Sequence, residues 1–487
     1  MRRASLAVLI LAGVTGESAL AQNIGGPTVM NPAYDPAINP AINPEINPAI
    51  NPAINPAAVR VRPTMAAGTT QPGQSVTFGQ TPQSDVLTAT VSERLTGDSN
   101  YNLDDPSPGT SYYADTLLGL DYQKQTDTQT LGLTLDTGVR ALWEAKQPFD
   151  FTIASPTNAG LTYSNEWANG LFDATLGYLQ RRTEYVLDVP ASLNPLQGNS
   201  YEQTYDANIG VKWGTATPST YELRFIANRT GYTVENPDQV SRTTLEGQAA
   251  WDLQLNPILS SEVSLDYFTY QAQNEQNTEV HRGQISAGLV YTPSANLLIG
   301  AGLDYADRRR YDDIGPDGAQ DLTESDNGPG INGRFSYVTP DLVFTGNGEW
   351  TTAAPTARFF GALQVDYALQ RGRLSGRVYQ SYIGTGSGAD EARVTGATLT
   401  LTRPINTVSS LALGFGYATQ VDVPGINTGP AQPDINRTNI TATYSHDLTD
   451  TVSADIGYIY STLSQDPDDA QSNAVFFQIG RTFQTLP

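Results

Sequence analysis

The residues of this chain that could do chemistry are mostly charged, and they fall at alternate positions. Asp136 and Arg140, Glu222 and Arg224, Glu246 and Asp252, and then Asp266, Arg282, Asp304, Arg334, Arg358, Asp366 and Arg377 lie in segments whose opposite parity is largely apolar. An extended strand sends successive side chains to opposite faces, so this spacing gathers the charges on one face and the apolar set on the other. If such strands close into a wide barrel, the charged face lines the interior. There the charges either pair with one another and stiffen the wall, or form rings that select solutes by charge. Acids outnumber bases on this face, which implies a mild preference for cations or neutral sugars in an open pore. Inward aromatics are few (Phe268, Phe360, Tyr379), so no long sugar-stacking ladder is expected.

A second constellation is acidic. Asp313, Asp317, Gly318, Asp321 and Glu324 match positions of a calcium-binding EF-hand loop, but Gly315 and Pro316 occupy places that should carry ligand-bearing residues, and no helical pattern flanks the segment. It is a weak calcium candidate (Asp313, Asp317, Asp321, Glu324) within a longer acidic connection, Asp307–Pro329. His281 and His446 fall on separate predicted strands with no ligand-spaced partner, and the chain has no cysteine. No G-x-S-x-G motif occurs, and neither histidine can be tied in sequence to a nucleophilic serine. No enzyme activity and no cofactor are expected.

The elements that position these charges begin at Asp85. Period-2 segments recur to the end of the chain, among them Tyr112–Tyr122, Leu131–Trp143, Tyr221–Ala227, Leu297–Tyr305 and Val475–Phe483. In the last of these, Val475, Phe477, Ile479 and Phe483 share one parity, and only Phe476 and Arg481 break the pattern. Gly160–Glu166 and Leu342–Trp350 are weaker segments. Connections alternate between short (Asn256–Ser260, Thr292–Asn296, Gln370–Arg373) and long (Thr96–Thr110, Asp307–Pro329, Val421–Arg437). Tyr and Trp cluster at strand ends, where a ring bearing a polar group suits a membrane–water boundary. Together these features predict an all-β fold: a transmembrane antiparallel up-and-down β-barrel of about twenty strands, with about 18 or about 16 as the alternatives.

Ahead of the strands, residues 1–21 read as a signal peptide. Arg2 and Arg3 precede the apolar run Leu6–Val14, and Ala19-Leu20-Ala21 offers a cleavage site before Gln22. Residues 22–82 form a linker built on Pro32, Pro36, Pro40, Pro44, Pro48, Pro52 and Pro56, each preceded by Asn or Asp. Proline at every fourth position forbids a helix. The array is expected to be an extended, disordered periplasmic tail reaching on the order of 80 Å at ~3.1 Å per residue. Three roles are open for it: a passive spacer, a docking strip for periplasmic export partners, or a segment that enters the pore. Residues 83–487 are the barrel.

Composition agrees. Hydrophobic residues make up 39% of the 487, which is modest for a membrane protein but natural where only alternate residues face lipid. Fifty acidic residues against 27 basic ones give a net charge of −23, which argues against nucleic-acid binding.

The entry to the strands, Val91-Ser92-Glu93-Arg94-Leu95-Thr96-Gly97-Asp98-Ser99-Asn100 followed by Thr116-Leu117-Leu118-Gly119-Leu120-Asp121-Tyr122, resembles the β-barrel porin 2 family of bacterial outer-membrane proteins. That resemblance spans residues 85–487 and implies a Gram-negative outer-membrane location and a role in surface or capsular exopolysaccharide export. The family supplies no catalytic residues. Two functions follow as expectations. One is a porin-like channel in contact with outer-membrane lipid, passing exported polysaccharide or small hydrophilic solutes. The other is a structural or adhesive barrel with a closed lumen and ligand-binding acidic external loops.

Overall fold

The computed structural model describes residues 84–101, 103, 106–153, 157–182, 201–233, 241–273, 277–313, 320–353, 358–384, 391–422, 434–465 and 468–484. The signal segment 1–21, the Asn-Pro array in 22–82 and Asp317 lie outside the described residues.

All regular structure among the described residues is β-strand. In chain order the strands are β1 (Ser84–Asp98), β2 (Ser111–Gln125), β3 (Gln129–Trp143), β4 (Asp150–Ile153), β5 (Thr157–Trp167), β6 (Gly170–Arg182), β7 (Tyr201–Trp213), β8 (Ser219–Tyr232), β9 (Arg242–Asn256), β10 (Leu259–Ala272) and β11 (Glu279–Ser294). They continue as β12 (Leu297–Asp313), β13 (Gln320–Val338), β14 (Leu342–Thr351), β15 (Arg358–Leu369), β16 (Gly372–Gly384), β17 (Glu391–Pro404), β18 (Ser409–Asp422), β19 (Ile435–Asp447), β20 (Val452–Gln465) and β21 (Asp468–Gln484).

Apart from the short β4, each strand pairs antiparallel with its neighbours along the chain, and β1 pairs with β21 from Thr88↔Gln484 to Asp98↔Ala474. The sheet therefore closes on itself and leaves no edge. A closed barrel satisfies every ladder hydrogen bond internally, which is what a spanning sheet in lipid needs. The closed wall has twenty strands. The twenty-first, β4, is a short extra: it pairs with the top of β3 (Val139↔Ile153 to Leu142↔Asp150), while β5 takes the rest of the same edge (Gln129↔Asn165 to Asp136↔Asn158). For twenty strands spaced ~4.8 Å apart and tilted ~40°, the wall circumference is ~125 Å and a circular backbone diameter ~40 Å. A barrel that wide cannot be filled by its own wall side chains.

The predicted short connections all lie at the end bearing Ser84 and Gln484, here the proximal end. They span two to five residues, as at 257–258 between β9 and β10 and 214–218 between β7 and β8. Two depend on glycine. Gly214 (φ 86°) and Gly372 (φ 117°) take backbone angles that disfavour a Cβ, and Gly214 donates its N–H to the Asn169 carbonyl at 2.9 Å.

The strand parity falls as predicted. Leu223, Phe225, Leu265, Ile285, Leu303, Leu363, Phe415 and Ile456 are exposed on the outer face. Aromatics bracket this belt: Tyr205, Tyr267, Tyr305, Trp350, Tyr417 and Tyr458 toward the distal end, and Trp213, Trp251, Tyr291, Tyr337, Tyr367 and Tyr444 toward the proximal end. Tyr205 and Trp213 on β7 are separated by ~27 Å of strand, or ~21 Å along the barrel axis, close to the apolar height of a spanning barrel.

The long connection expected at Asp307–Pro329 is a correction. β12 and β13 pair outward to Asp313↔Gln320, so only 314–319 lies beyond the strands, and one bulge between Arg310 and Tyr311 re-aims the hairpin. Tyr311 and Leu322 are direct partners there and continue the outward parity, which is why the segment stays a strand despite its charge.

Candidate functional site

The interior face carries the charges. The thirteen lumen candidates named from sequence all take the parity opposite to the exposed apolar set, but their chemistry depends on partners that sequence spacing did not supply. Arg140 is buried and grips Asp115 of β2 with both arms, Nε to Oδ1 at 2.6 Å and Nη2 to Oδ2 at 2.8 Å. Its Nη1 donates to the Tyr101 hydroxyl at 3.1 Å, and its guanidinium lies 4.1 Å from the Tyr113 ring centroid. Tyr101, Tyr113 and Leu142 pack as one buried cluster, so Tyr101 turns inward at the barrel mouth.

Lower on the wall, Arg224 joins three strands. It pairs with Asp173 on β6 at 2.9 Å and with Glu222 at 3.0 Å, and donates to Asn208 on β7 at 2.7 Å. Arg334 reaches across two strands to Glu262, donating through Nη1 at 3.2 Å. Asp366 is held by Arg373 at 2.9 Å and the Ser375 hydroxyl at 2.6 Å, and not by Arg377, whose guanidinium instead lies 5.5 Å from the Tyr379 ring. These contacts are the wall-stiffening arrangement. Bidentate arginine–carboxylate pairs fix both side chains and the strands that carry them.

A denser group occupies β9 to β15. Arg282 is 2% exposed and feels the charges of Asp266, Glu349, Glu246 and Asp304. Arg308, 1% exposed, pairs with Glu324 at 2.8 Å and reaches Asp326 at 3.4 Å. Asp304 accepts from Asn332 at 3.3 Å, and Asn332 is the register partner of Glu349. Glu349, 2% exposed, has no hydrogen-bond donor on either carboxylate oxygen among the described residues. Asp115, Arg308, Glu349 and Arg373 were not singled out from sequence. Strand parity places each of them inward, and that was the available signal. Asp252 and Arg358 also face inward, with Arg358 1% exposed.

The calcium candidate falls only partly within the described residues. Asp313 and Asp321 lie on opposite paired strands, Glu324 is engaged by Arg308, and Asp317 is outside the described residues. No metal-ligand cluster occurs among the described residues.

Both histidines are on the outer face and hydrogen-bonded. His281 Nδ1 lies 3.0 Å from the Tyr267 hydroxyl, with Nε2 3.0 Å from Glu279. His446 Nδ1 lies 2.8 Å from Ser409 Oγ, which also accepts from Tyr444 at 3.1 Å. Ser409 and His446, 37 residues apart in sequence, are direct register partners on β18 and β19. Among the described residues no carboxylate contacts Nε2 of His446, so the orienting third member of a hydrolytic triad is missing.

The two breaks in the terminal strand also find their reasons. Phe476 faces inward and is buried, with the Arg94 guanidinium 4.2 Å from its ring centroid; Arg481 faces outward over Phe483 at 4.8 Å.

No family model matches the sequence, and no curated protein does. Among solved structures, the chain is similar to the ferric citrate transporter FecA in its unliganded form (11% identity, TM-score 0.46, covering 86% of this chain and 82% of that one). It is also similar to the siderophore receptor PiuA from Acinetobacter baumannii (8% identity, TM-score 0.46, covering 82% of each). A third is OpdQ of Pseudomonas aeruginosa (10% identity, TM-score 0.33, covering 82% of this chain and 99% of that one).

Proposed function

We propose that this protein is a channel of the Gram-negative outer membrane that passes small hydrophilic solutes through a charged lumen. The observation that carries this reading is the closed twenty-strand register, with an apolar outer belt between two aromatic bands and ion pairs on the inner face. A soluble protein would not leave the outer set in water, since exposed apolar patches of this extent mark a membrane or a partner. Export of exopolysaccharide, which the family resemblance implies, would use the same conduit. Phe268, Tyr270, Phe360 and Phe476 point inward but are buried in the wall, and Tyr379 is half-buried beside Arg377, so these rings make no continuous platform for stacking sugars, which favours small solutes. The N-terminal segment would then lie in the periplasm.

A specific observation favours a second reading, a structural or adhesive barrel with a closed lumen. Inward side chains of the distal half are largely buried, including Arg140, Tyr270, Arg308 and Val394.

Single-channel recording in planar bilayers separates the two readings. The channel predicts steady, mildly cation-selective openings from the full chain. A variant lacking Asn31–Ala57 that opens where the full chain does not would make the Asn-Pro array a plug. Silence from both folded proteins would overturn the channel and leave the structural barrel.

A further inference from the structure

The charges of the lumen do not go all the way round. On β8 to β10 the inward positions carry Glu222, Arg224, Glu246, Asp252, Glu262 and Asp266. Across β17, β18 and β19, behind the outward row Leu399, Phe415 and Ile440, the inward positions are small and neutral. Register arranges them in columns. Thr398, Thr400 and Thr402 face inward along β17, and Thr441 and Thr443 along β19. Between them β18 presents Gly416, Gly414 and Ala412, in the rows Thr398↔Gly416↔Asn439, Thr400↔Gly414↔Thr441 and Thr402↔Ala412↔Thr443. Two columns of hydroxyls therefore stand two strand spacings apart, ~10 Å, over a floor with almost no side chain, and the trough runs ~13 Å along the strands. At Gly416 an added Cβ would approach nothing closer than Asn439 at 4.0 Å, so the floor there is open.

The five threonines are half-buried or exposed, and among the described residues none of their hydroxyls is hydrogen-bonded to the protein. The nearest charges turn away from them. Arg373, the partner of Thr402 on β16, pairs with Asp366 of β15 at 2.9 Å, and Arg377, the partner of Thr398, lies against the Tyr379 ring. At the distal head of the trough two neutral side chains are buried and unsatisfied. Gln420, farther along β18, is 4% exposed, and Ser461, the partner of Asn439 on β20, is 1% exposed. Neither Gln420 Oε1 nor Ser461 Oγ has a hydrogen-bond partner among the described residues. A buried polar atom of this kind costs free energy until a partner arrives. A hydroxyl-bearing solute supplies such partners, because each hydroxyl both donates and accepts.

We propose that the trough between β17 and β19 is the track on which the channel passes small uncharged polyols and saccharides, the threonine hydroxyls replacing the water that the solute sheds. The proposal rests on the channel reading given above, and the experiment keeps the two apart. The full chain is reconstituted in liposomes, and osmotic swelling in galactose is measured beside KCl conductance in planar bilayers. The triple variant Thr398→Val, Thr400→Val, Thr441→Val removes three hydroxyls but keeps branched side chains that suit a strand, so it should fold. Its ratio of galactose swelling to KCl conductance should fall about fivefold. Gly416→Leu, which puts a side chain on the open floor, should lower the ratio as well. Thr175→Val, at an inward position of β6 outside the trough, is the control and should leave the ratio unaltered. An unaltered ratio in the triple variant would overturn the track while leaving the channel standing. So would an equal fall in Thr175→Val, or KCl conductance without galactose swelling in the unaltered chain. Neither conductance nor swelling from folded, unaltered protein would overturn the channel itself.

Discussion

Arg94 of β1 lies over the ring of Phe476 of β21, its guanidinium carbon 4.2 Å from the ring centroid, across the seam where the first and last strands meet. Around this contact the seam is tied by Gln478 to Ser92 at 3.2 Å, by Ser472 to Asp98, and by the Asn473 N–H to the Ser99 hydroxyl at 2.8 Å. A barrel can form only when strands almost the whole chain apart have paired. That closure is entropically costly, so side-chain contacts at the seam bear directly on stability.

Truncating the ring should therefore weaken the closed barrel. Phe476→Ala is expected to lose about 3 kcal/mol from the buried aromatic and its cation contact. Phe476→Leu should keep most of it. Unfolding midpoints in urea, read from folded protein in detergent micelles, check the pair of variants.

The buried Arg140–Asp115 pair makes a sharper test. Arg140→Ala leaves the Asp115 carboxylate buried beside Tyr113 without its guanidinium, at a cost of about 3–5 kcal/mol. Replacing both partners with apolar residues, Arg140→Met with Asp115→Leu, should restore much of the loss. A double-mutant cycle in guanidinium chloride decides it, and additive losses would show that the two side chains are not coupled.

Charge changes on the β9 to β15 wall should move ion selectivity in opposite directions. A unit charge ~4 Å from a permeating ion in water is worth ~1 kcal/mol, about a fivefold change in occupancy. Arg334→Gln on β13 should raise the cation preference and Glu262→Gln on β10 should lower it, since both inward side chains of that pair keep some exposure. Reversal potentials in a salt gradient measure both, and unchanged potentials in both variants would place this cluster away from the conduction path.

The proximal turns depend on backbone freedom. Gly372→Ala is expected to destabilise the barrel by about 1–3 kcal/mol, because φ of 117° strains any residue with a Cβ and the added atom would strike the Thr402 carbonyl. Gly416→Ala is the control. There the new Cβ would approach nothing closer than Asn439 at 4.0 Å, and its unfolding midpoint should stay near that of the unaltered chain.

What the sequence by itself determined was local and periodic. Alternation placed Asp136, Glu222, Arg282 and Arg377 on the inner face, and even the weaker segments around Gly160 and Leu342 proved to be wall strands, because parity in an extended chain is a property of the backbone alone. The alternating connection lengths and terminal aromatics were sufficient to indicate closure into about twenty strands. Pairing between distant strands was not legible. That Arg334 reaches Glu262, that Asp366 turns to Arg373 rather than Arg377, and that Ser409 meets His446 all follow from register, which is set by turn geometry and by which faces must be buried together. The acidic stretch at Asp307–Pro329 looked like a loop because charge usually marks one. Only pairing with β12 turned it into a strand, where Arg308 could neutralise Glu324. The open space beside Gly247 and Gly283, where an added Cβ would meet nothing within 4 Å, likewise exists only because the fold sets two glycines, 36 residues apart in sequence, on either side of Tyr267 in a single outward row.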